Sequence, residues 1–236
     1  MADEELREQA RLLVLAAYGD PDAMPSLERL TVALSRLDAE VETLARCRAA
    51  ASTAPGVDEV ERACAALRSA ADAQADAEHT AGALSADRIQ FLETSLEFHD
   101  RHGTQPCPVC AMGTLDDEWV ARARAALAAE RDAASALRVA RSETHRARRA
   151  LIALVDAVDA PPAEDVGLSA MSAARVAHQS FSTLSTDDDT GLADRVARGL
   201  PELRAAYDAL LQAAAPRLEV AIEAQKWLQA LASTER

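Results

Sequence analysis

The chain has 236 residues and a net charge of −14, and aromatic residues make up only 3% of it. This acidic balance argues against a surface that binds nucleic acid throughout, because attraction to phosphates requires basic patches. Few turn-forming residues, eight glycines and nine prolines, interrupt long alanine- and leucine-rich runs, so we expect an all-α fold. The sequence has no apolar run of 18 residues and an acidic N-terminus, which predicts a cytoplasmic protein without a membrane span.

The N-terminal quarter predicts two helices. Residues 4–18 read as a short helix that stops at Gly19. In the next helix, over 27–50, leucine and valine recur three and four positions apart, which is the spacing of a coiled-coil seam. The seam residues are Leu27, Leu30, Leu34, Leu37, Val41 and Leu44. Pro55-Gly56 then breaks the helix.

Two long helices are predicted in the centre of the chain. The first covers 57–101 and stops at Gly103. The second is capped by Thr114 or Asp116 and keeps one register from 119 to 158. Ten of its twelve seam positions are apolar, and the two others are Glu130 and Thr144. A helix that holds such a register needs a packing partner along its whole length.

The spacing of the breaks connects these two helices. Gly56 lies 51 residues before Cys107, and Pro161 lies 51 residues after Cys110. We therefore predict an elongated antiparallel helical hairpin, a coiled coil of about 65 Å, with the CPVC loop at its tip. The breaks near residues 55 and 161 would lie side by side as one joint.

In this predicted hairpin, residue n of one helix lies opposite approximately residue 217 − n of the other. Two arginines are then next to acidic residues. Arg141 should lie near Asp76, and Arg146 near Asp72. Arg141 and Arg146 belong to a local basic cluster with Arg148 and Arg149. We interpret that cluster as a solvated helix face or as cross-helix ion pairing, with a DNA contact as the alternative.

The C-terminal part is predicted to return along the helix at 27–50. A short helix at 168–180 and an acidic loop at 182–191 precede helices at 192–214 and 216–232, which Pro216 should separate or kink. The chain then divides into three segments: N-terminal helices and lower arm (1–56), hairpin (57–160), and C-terminal lower-arm helices (161–236).

The stretch QPCPVCAMG, residues 105–113, contains the one pattern that indicates chemistry. In a reducing compartment a CxxC pair is more typical of metal binding or redox activity than of a structural disulfide. Zinc prefers four ligands in a tetrahedral arrangement, so Cys107 and Cys110 supply half of a site. Cys47 and Cys64 lie too far along the predicted arms to complete it, and we interpret both as small packed residues.

Several completions of this half-site remain open. In the one that we favour, a second copy contributes its own Cys107 and Cys110, so that the zinc ion forms the dimer contact. Alternatively, His99 and His102 complete the site within one chain. A redox-active dithiol, a disulfide and a loop without metal are further alternatives.

The central CPVC between matched helices resembles the zinc hook of SMC-like DNA-repair ATPases. The pattern equally resembles a related class, the bacterial AAA-type ATPases that have a coiled-coil insertion and a hook. The resemblance covers about 57–160 and implies Cys107 and Cys110 as the zinc ligands. One departure is Ala111, where many zinc-knuckle turns have glycine, and Gly113 is expected to serve instead.

The resemblance also implies a mechanical role for the chain. The segment would dimerise through its tip and couple ATPase heads of the same polypeptide, and DNA would be handled only by the parent complex. The sequence has no phosphate-binding loop and no hydrolase motif, so we predict no catalytic residue in this chain, which looks like the middle of a larger protein. The competing hypothesis is a stand-alone helical protein–protein interaction module with an intramolecular Cys2His2 knuckle.

Overall fold

The structure, a computed structural model, describes residues 3–18, 27–82, 85–184 and 188–234. Helices occupy most of these residues and the strands within them are two residues long, which confirms the all-α class. The elements are α1 (Asp3–Tyr18), α2 (Leu27–Ala51), α3 (Val57–Ala81), α4 (Ser85–His102), β1 (Gln105–Pro106), β2 (Thr114–Leu115), α5 (Asp117–Asp156), α6 (Ala170–Ser182) and α7 (Asp189–Thr234). Within the described ranges, no helix combines the length and the apolar character that crossing a membrane requires.

Residue contacts divide the chain into two compact units. The first unit comprises Met1–Glu61, Ile152–Thr186 and Asp194–Arg236, and the second comprises Arg62–Leu151 and Asp187–Ala193. Most of the second unit falls inside the segment predicted as the hairpin. The N-terminal and C-terminal segments, predicted as separate parts of the lower arm, fall largely together in the first unit.

In the first unit, α2 packs against α7. The Arg217 guanidinium lies 2.7 Å from Glu40 Oε1, and Gln225 donates a hydrogen bond of 2.5 Å to Asp38. Since the residue number rises along α7 as it falls along α2, the two helices run antiparallel, in agreement with the predicted packing of the C-terminal helices. Side chains of α1, α2 and α7 form one apolar cluster: Ala10, Val14, Leu30, Ala33, Leu37, Val220, Ala224 and Leu228.

The chain breaks near residues 55 and 161 lie side by side, as predicted. The backbone N–H of Asp159 donates a hydrogen bond of 2.8 Å to Thr53 Oγ1, and the Tyr207 hydroxyl donates one of 2.7 Å to the Asp159 carbonyl. Arg204 donates a further hydrogen bond of 2.9 Å to the carbonyl of Pro55. Burial, together with the nearby Asp159 carboxylate, raises the pKa of Tyr207, so its hydroxyl remains a donor.

Of the two effects predicted for Pro216, the interruption is wrong, because α7 continues from Asp189 to Thr234 through both Pro201 and Pro216. The kink stays a prediction. A proline inside a helix leaves the carbonyl four residues earlier without its partner. Gln212, which carries that carbonyl, is exposed, so solvent can hydrogen-bond it. Buried neighbours on the opposite face, including Ala214 and Leu218, hold the helix against the core.

The prediction of a single helix over 57–101 is also wrong, because two helices, α3 and α4, occupy this range. Gly82 follows α3 with a φ of +64°, the left-handed conformation that commonly terminates helices. Ser85 begins α4 and donates a hydrogen bond of 2.9 Å to Glu130 of α5. The predicted stop at Gly19 and part of the predicted loop at 182–191 lie outside the described residues.

Side chains of α3 and α4 meet those of α5 in antiparallel order within the second unit. Arg141 contacts Glu78 at 3.1 Å, two positions from the Asp76 that the register predicted. The predicted pairing of Arg146 with Asp72 is wrong, because the Arg146 guanidinium binds Glu143 on its own helix at 2.8 Å. A carboxylate three residues away on the same helix is always within reach of an exposed arginine, whatever the opposite helix presents. Further pairs are Ala70 with Thr144, Arg88 with Glu130, and Glu93 with Arg131.

Candidate metal site at the Cys107–Cys110 turn

Helix ends bring the chain into and out of the CPVC turn. Gly103, with a φ of +68°, ends α4 as predicted, and its N–H donates a hydrogen bond of 2.7 Å to the carbonyl of His99. On the other side, Asp116 Oδ1 accepts a hydrogen bond of 2.8 Å from the N–H of Trp119. Asp116 therefore caps α5, which confirms one of the two predicted caps.

A short β-ladder closes the base of the turn. Gln105 pairs with Leu115, and Pro106 pairs with Thr114, in antiparallel register. These strands were not predicted, because segments of two residues carry no alternating apolar pattern. This pairing positions Cys107 directly after β1, at the start of the turn.

Backbone hydrogen bonds shape the turn around Cys107. Its N–H donates a hydrogen bond of 2.7 Å to the carbonyl of Gly113, and its carbonyl accepts one of 2.8 Å from the N–H of Ala111. Hydrogen bonds from the backbone N–H groups of Cys110 and Val109 lower the pKa of the Cys107 thiol. The turn thus stabilises a thiolate, which is the form of cysteine that binds metals.

The two thiols fit half of a zinc site. Cys107 is half-buried and Cys110 is exposed, so a metal ion has access to both sulfurs. Zinc binds thiolates at about 2.3 Å and takes four ligands in structural sites. Within the described residues, no three histidine, cysteine or acidic side chains are grouped as metal ligands.

Ala111, at the position where many zinc-knuckle turns have glycine, adopts the left-handed conformation that favours glycine. Its φ is +54°, whereas Gly113 does not have a positive φ. The expectation that Gly113 serves instead is therefore wrong. The hydrogen bonds of Cys107 at both ends of the turn hold residue 111 in this conformation whatever its side chain.

The rival ligands His99 and His102 belong to the last turn of α4. The His99 side chain is only 13% exposed, and its ring centroid lies 6.4 Å from that of Trp119. The ring of His102 lies 4.7 Å from that of Phe98. Both ring nitrogens of His99 are buried, and neither has a hydrogen-bond partner among the described residues.

The other two cysteines are packed in helices, as predicted. Cys47 is 0% exposed and Cys64 is 1% exposed, and neither forms a disulfide. Burial raises the pKa of the Cys47 thiol, with an opposing effect from Arg175. The Cys64 thiol lies 3.4 Å from the carbonyl of Ala193.

Three arginines of the predicted basic cluster are engaged within the chain. Besides the pairs of Arg141 and Arg146, Arg148 contacts Asp189 at 3.0 Å. The hydrogen bond from Arg141 lowers the pKa of Glu78, as expected for a carboxylate held in an ion pair. Arg141 and Arg148 pair with carboxylates of other helices, as the ion-pairing interpretation predicted, whereas Arg146 pairs within its own helix.

Two apolar side chains of the turn were not among the residues predicted to matter. Val109 and Met112 are exposed beside the two cysteines. The signal was present in QPCPVCAMG, which places a valine and a methionine next to the two thiols.

Comparisons of this chain with protein-family models, with curated proteins and with solved structures found no match.

Proposed function

We propose that this chain is a coiled-coil zinc-hook segment that dimerises through its CPVC turn. Cys107 and Cys110 of two copies would bind one zinc ion between them. The observation that carries the proposal is the turn itself, in which backbone N–H groups stabilise the Cys107 thiolate and Cys110 is exposed. When bound, zinc supplies a structural cross-link between the thiolates and no catalytic chemistry.

The antiparallel side-chain pairs of α3 and α4 with α5 support the hairpin part of this proposal. By its resemblance to zinc hooks, the segment would tether or couple ATPase heads of a larger SMC-like or AAA-type DNA-repair ATPase. ATP hydrolysis belongs to those heads in this proposal, and DNA contact belongs to the parent complex. The chain described here acts mechanically.

The test measures zinc content together with molar mass by light scattering, with and without a chelator. We expect about one zinc ion per two chains, a dimer with zinc, and a monomer after chelation. Cys107→Ser/Cys110→Ser should remain monomeric with zinc present. The matched control is Cys47→Ala/Cys64→Ala, which changes the two buried cysteines and should leave the zinc-dependent dimer intact. A dimer that persists in Cys107→Ser/Cys110→Ser refutes the proposal.

A second candidate is an interaction module in which His99 and His102 complete a Cys2His2 site within one chain. The buried ring nitrogens of His99, which have no hydrogen-bond partners among the described residues, favour it. A ligand role would satisfy one of them. This candidate predicts about one zinc ion per chain in a monomer, and loss of zinc from His99→Leu. The shared site instead predicts that His99→Leu binds zinc with unchanged stoichiometry.

A further inference from the structure

Two apolar side chains of the CPVC turn are exposed to an unusual degree. Met112 is 93% exposed and Val109 is 77% exposed, the highest values among the large apolar side chains of the described residues. Val109 lies between the two cysteines, and Met112 lies two positions after the second. The exposed apolar groups and the exposed thiol of Cys110 thus share one turn.

The local fold explains why neither side chain is covered. The β-ladder ends at residues 106 and 114, so Val109 and Met112 both lie in the turn beyond it. An apolar cluster of the same unit consists of side chains from α4 and α5: Leu96, Val120, Ala123 and Leu127. Neither Val109 nor Met112 belongs to that cluster or packs against it.

We propose that Val109 and Met112 form an apolar contact with the same two residues of a second copy, around the shared metal ion. The inference rests on the proposed function, because the metal brings the two turns together. A two-thiolate half-site is completed by an identical half-site through a two-fold axis, so the same surface of each copy faces the other. With sulfur–metal bonds of about 2.3 Å, side chains adjacent to the ligands are forced close to their counterparts.

The size of this contact explains why it must act together with the metal. Stable protein interfaces bury about 1,200–2,000 Å² in total, far more than two side chains from each copy provide. The apolar contact therefore strengthens a metal-bridged dimer and does not support one by itself. It also excludes water from the thiolates and distinguishes a second copy from a small thiol that offers only sulfur.

The test compares dimer affinity in zinc-saturated buffer by sedimentation equilibrium. Val109→Ser/Met112→Ser should weaken the dimer at least about tenfold, because the apolar area that it buries is lost. The matched control is Phe91→Ser/Val139→Ser, which changes two side chains of the same unit that are 60% and 59% exposed. That control should leave the dimer affinity within about twofold of the original chain.

The possible outcomes separate this inference from the proposed function. If the original chain stays monomeric with zinc, the proposed function fails, and this inference with it. If the original chain dimerises and Val109→Ser/Met112→Ser dimerises equally well, only the apolar contact is overturned. Cobalt(II), used as a spectroscopic substitute for zinc, reports thiolate ligation in the variant. A dimer weakened only in proportion to lost cobalt binding also overturns the contact.

Two charged variants test whether residue 109 of one copy contacts residue 109 of the other. Val109→Glu and Val109→Lys should each dimerise more weakly than the original chain, because like charges are placed together. An equimolar mixture of the two should recover dimers that contain one copy of each. A mixture that associates no better than either variant alone contradicts a self-facing contact. Circular dichroism of each variant checks that the helices are retained.

Discussion

At the residue scale, Ala111 is the strained position of the turn. Its φ of +54° is a conformation that costs an L-residue about 1–2 kcal/mol, and glycine is free of that cost. Glycine has more freedom in the unfolded chain, which offsets part of the gain. The turn should therefore become more stable when this one side chain is removed.

We predict that Ala111→Gly increases the hydrogen-exchange protection of the Cys107 N–H, which binds the Gly113 carbonyl, by up to about fivefold. The control is Gly113→Ala, because a Cβ there meets nothing within 4 Å and the φ is not left-handed. Its effect on protection should stay below about twofold. Protection that decreases in Ala111→Gly would show that the strain is absent.

Cys107 should titrate differently from an ordinary thiol. Hydrogen bonds from the backbone N–H groups of Cys110 and Val109 lower the pKa of its thiol in the folded turn. In metal-free protein, we expect the alkylation rate at Cys107 to reach half its maximum at a lower pH than in the same protein in denaturant. Mass spectrometry of the peptide reports this rate, and the buried Cys47 serves as the unreactive control.

The same shift determines how pH affects the turn. The folded turn binds the thiol proton less tightly than the unfolded chain does, so the thiolate stabilises the turn above the ordinary thiol pKa. That contribution is lost as the pH falls through the lowered pKa of Cys107. If the alkylation rate of Cys107 reached half its maximum at the same pH in folded and in denatured protein, the N–H groups would not act on this sulfur.

At the scale of elements, polar residues in the α5 seam fix how the helices pair. Glu130 is 20% exposed and accepts a hydrogen bond of 2.9 Å from Ser85 and one of 3.2 Å from Arg88. Thr144 is 4% exposed, and its hydroxyl lies 3.0 Å from the carbonyl of Ala70. Glu130 takes its partners from α4 and therefore disfavours sliding of α5 along that helix. The Thr144 hydroxyl also lies 3.0 Å from the carbonyl of Ala140 on its own helix, a hydrogen bond that every register allows.

We expect a measurable coupling between Ser85 and Glu130. In a double-mutant cycle of Ser85→Ala and Glu130→Gln, the coupling free energy should be about 0.5–1.5 kcal/mol, as for a partly buried hydrogen bond. Urea unfolding followed by circular dichroism provides the four free energies. The exposed pair of Glu118 and Arg122 on one helix is the control and should couple less. Equal coupling in both pairs would contradict a register role for Glu130.

At the scale of the whole molecule, net charge opposes association of two copies. Each chain carries a net charge of −14, so a dimer brings like charges together. Salt shortens the screening length from about 30 Å at 0.01 M to about 8 Å at 0.15 M. The zinc-dependent dimer should therefore tighten severalfold over this range, as measured by sedimentation in a salt whose anion binds metals weakly. Weakening with salt would indicate opposite charges across the contact.

Local signals in the sequence predicted several features correctly. Gly103 ends α4 and Asp116 caps α5, because both effects depend on residues within one turn of the helix end. The leucines of α2 predicted its buried face, since Leu30, Leu37 and Leu44 are each at most 2% exposed. Counting to the breaks near residues 55 and 161 predicted that these lie side by side.

Other features depended on competition between local and distant interactions. Gly82 follows α3 in the left-handed conformation inside the range predicted as one helix, and Ser85, which begins α4, hydrogen-bonds Glu130 of another helix. Pro216 does not terminate α7, because the buried face around it outweighs one missing hydrogen bond. Arg146 pairs with Glu143, because that carboxylate lies three residues away on the same helix and is within reach.

By itself, the sequence determined the helical class, the buried face of α2 and the position of the two-thiol turn, because each follows from residue type and spacing over a few residues. Only the tertiary structure decided that residue 111 takes the left-handed conformation, that Cys107 is bound by backbone N–H groups, and that Val109 and Met112 are uncovered. These properties depend on which groups the folded chain brings within bonding distance, and residue spacing does not specify that.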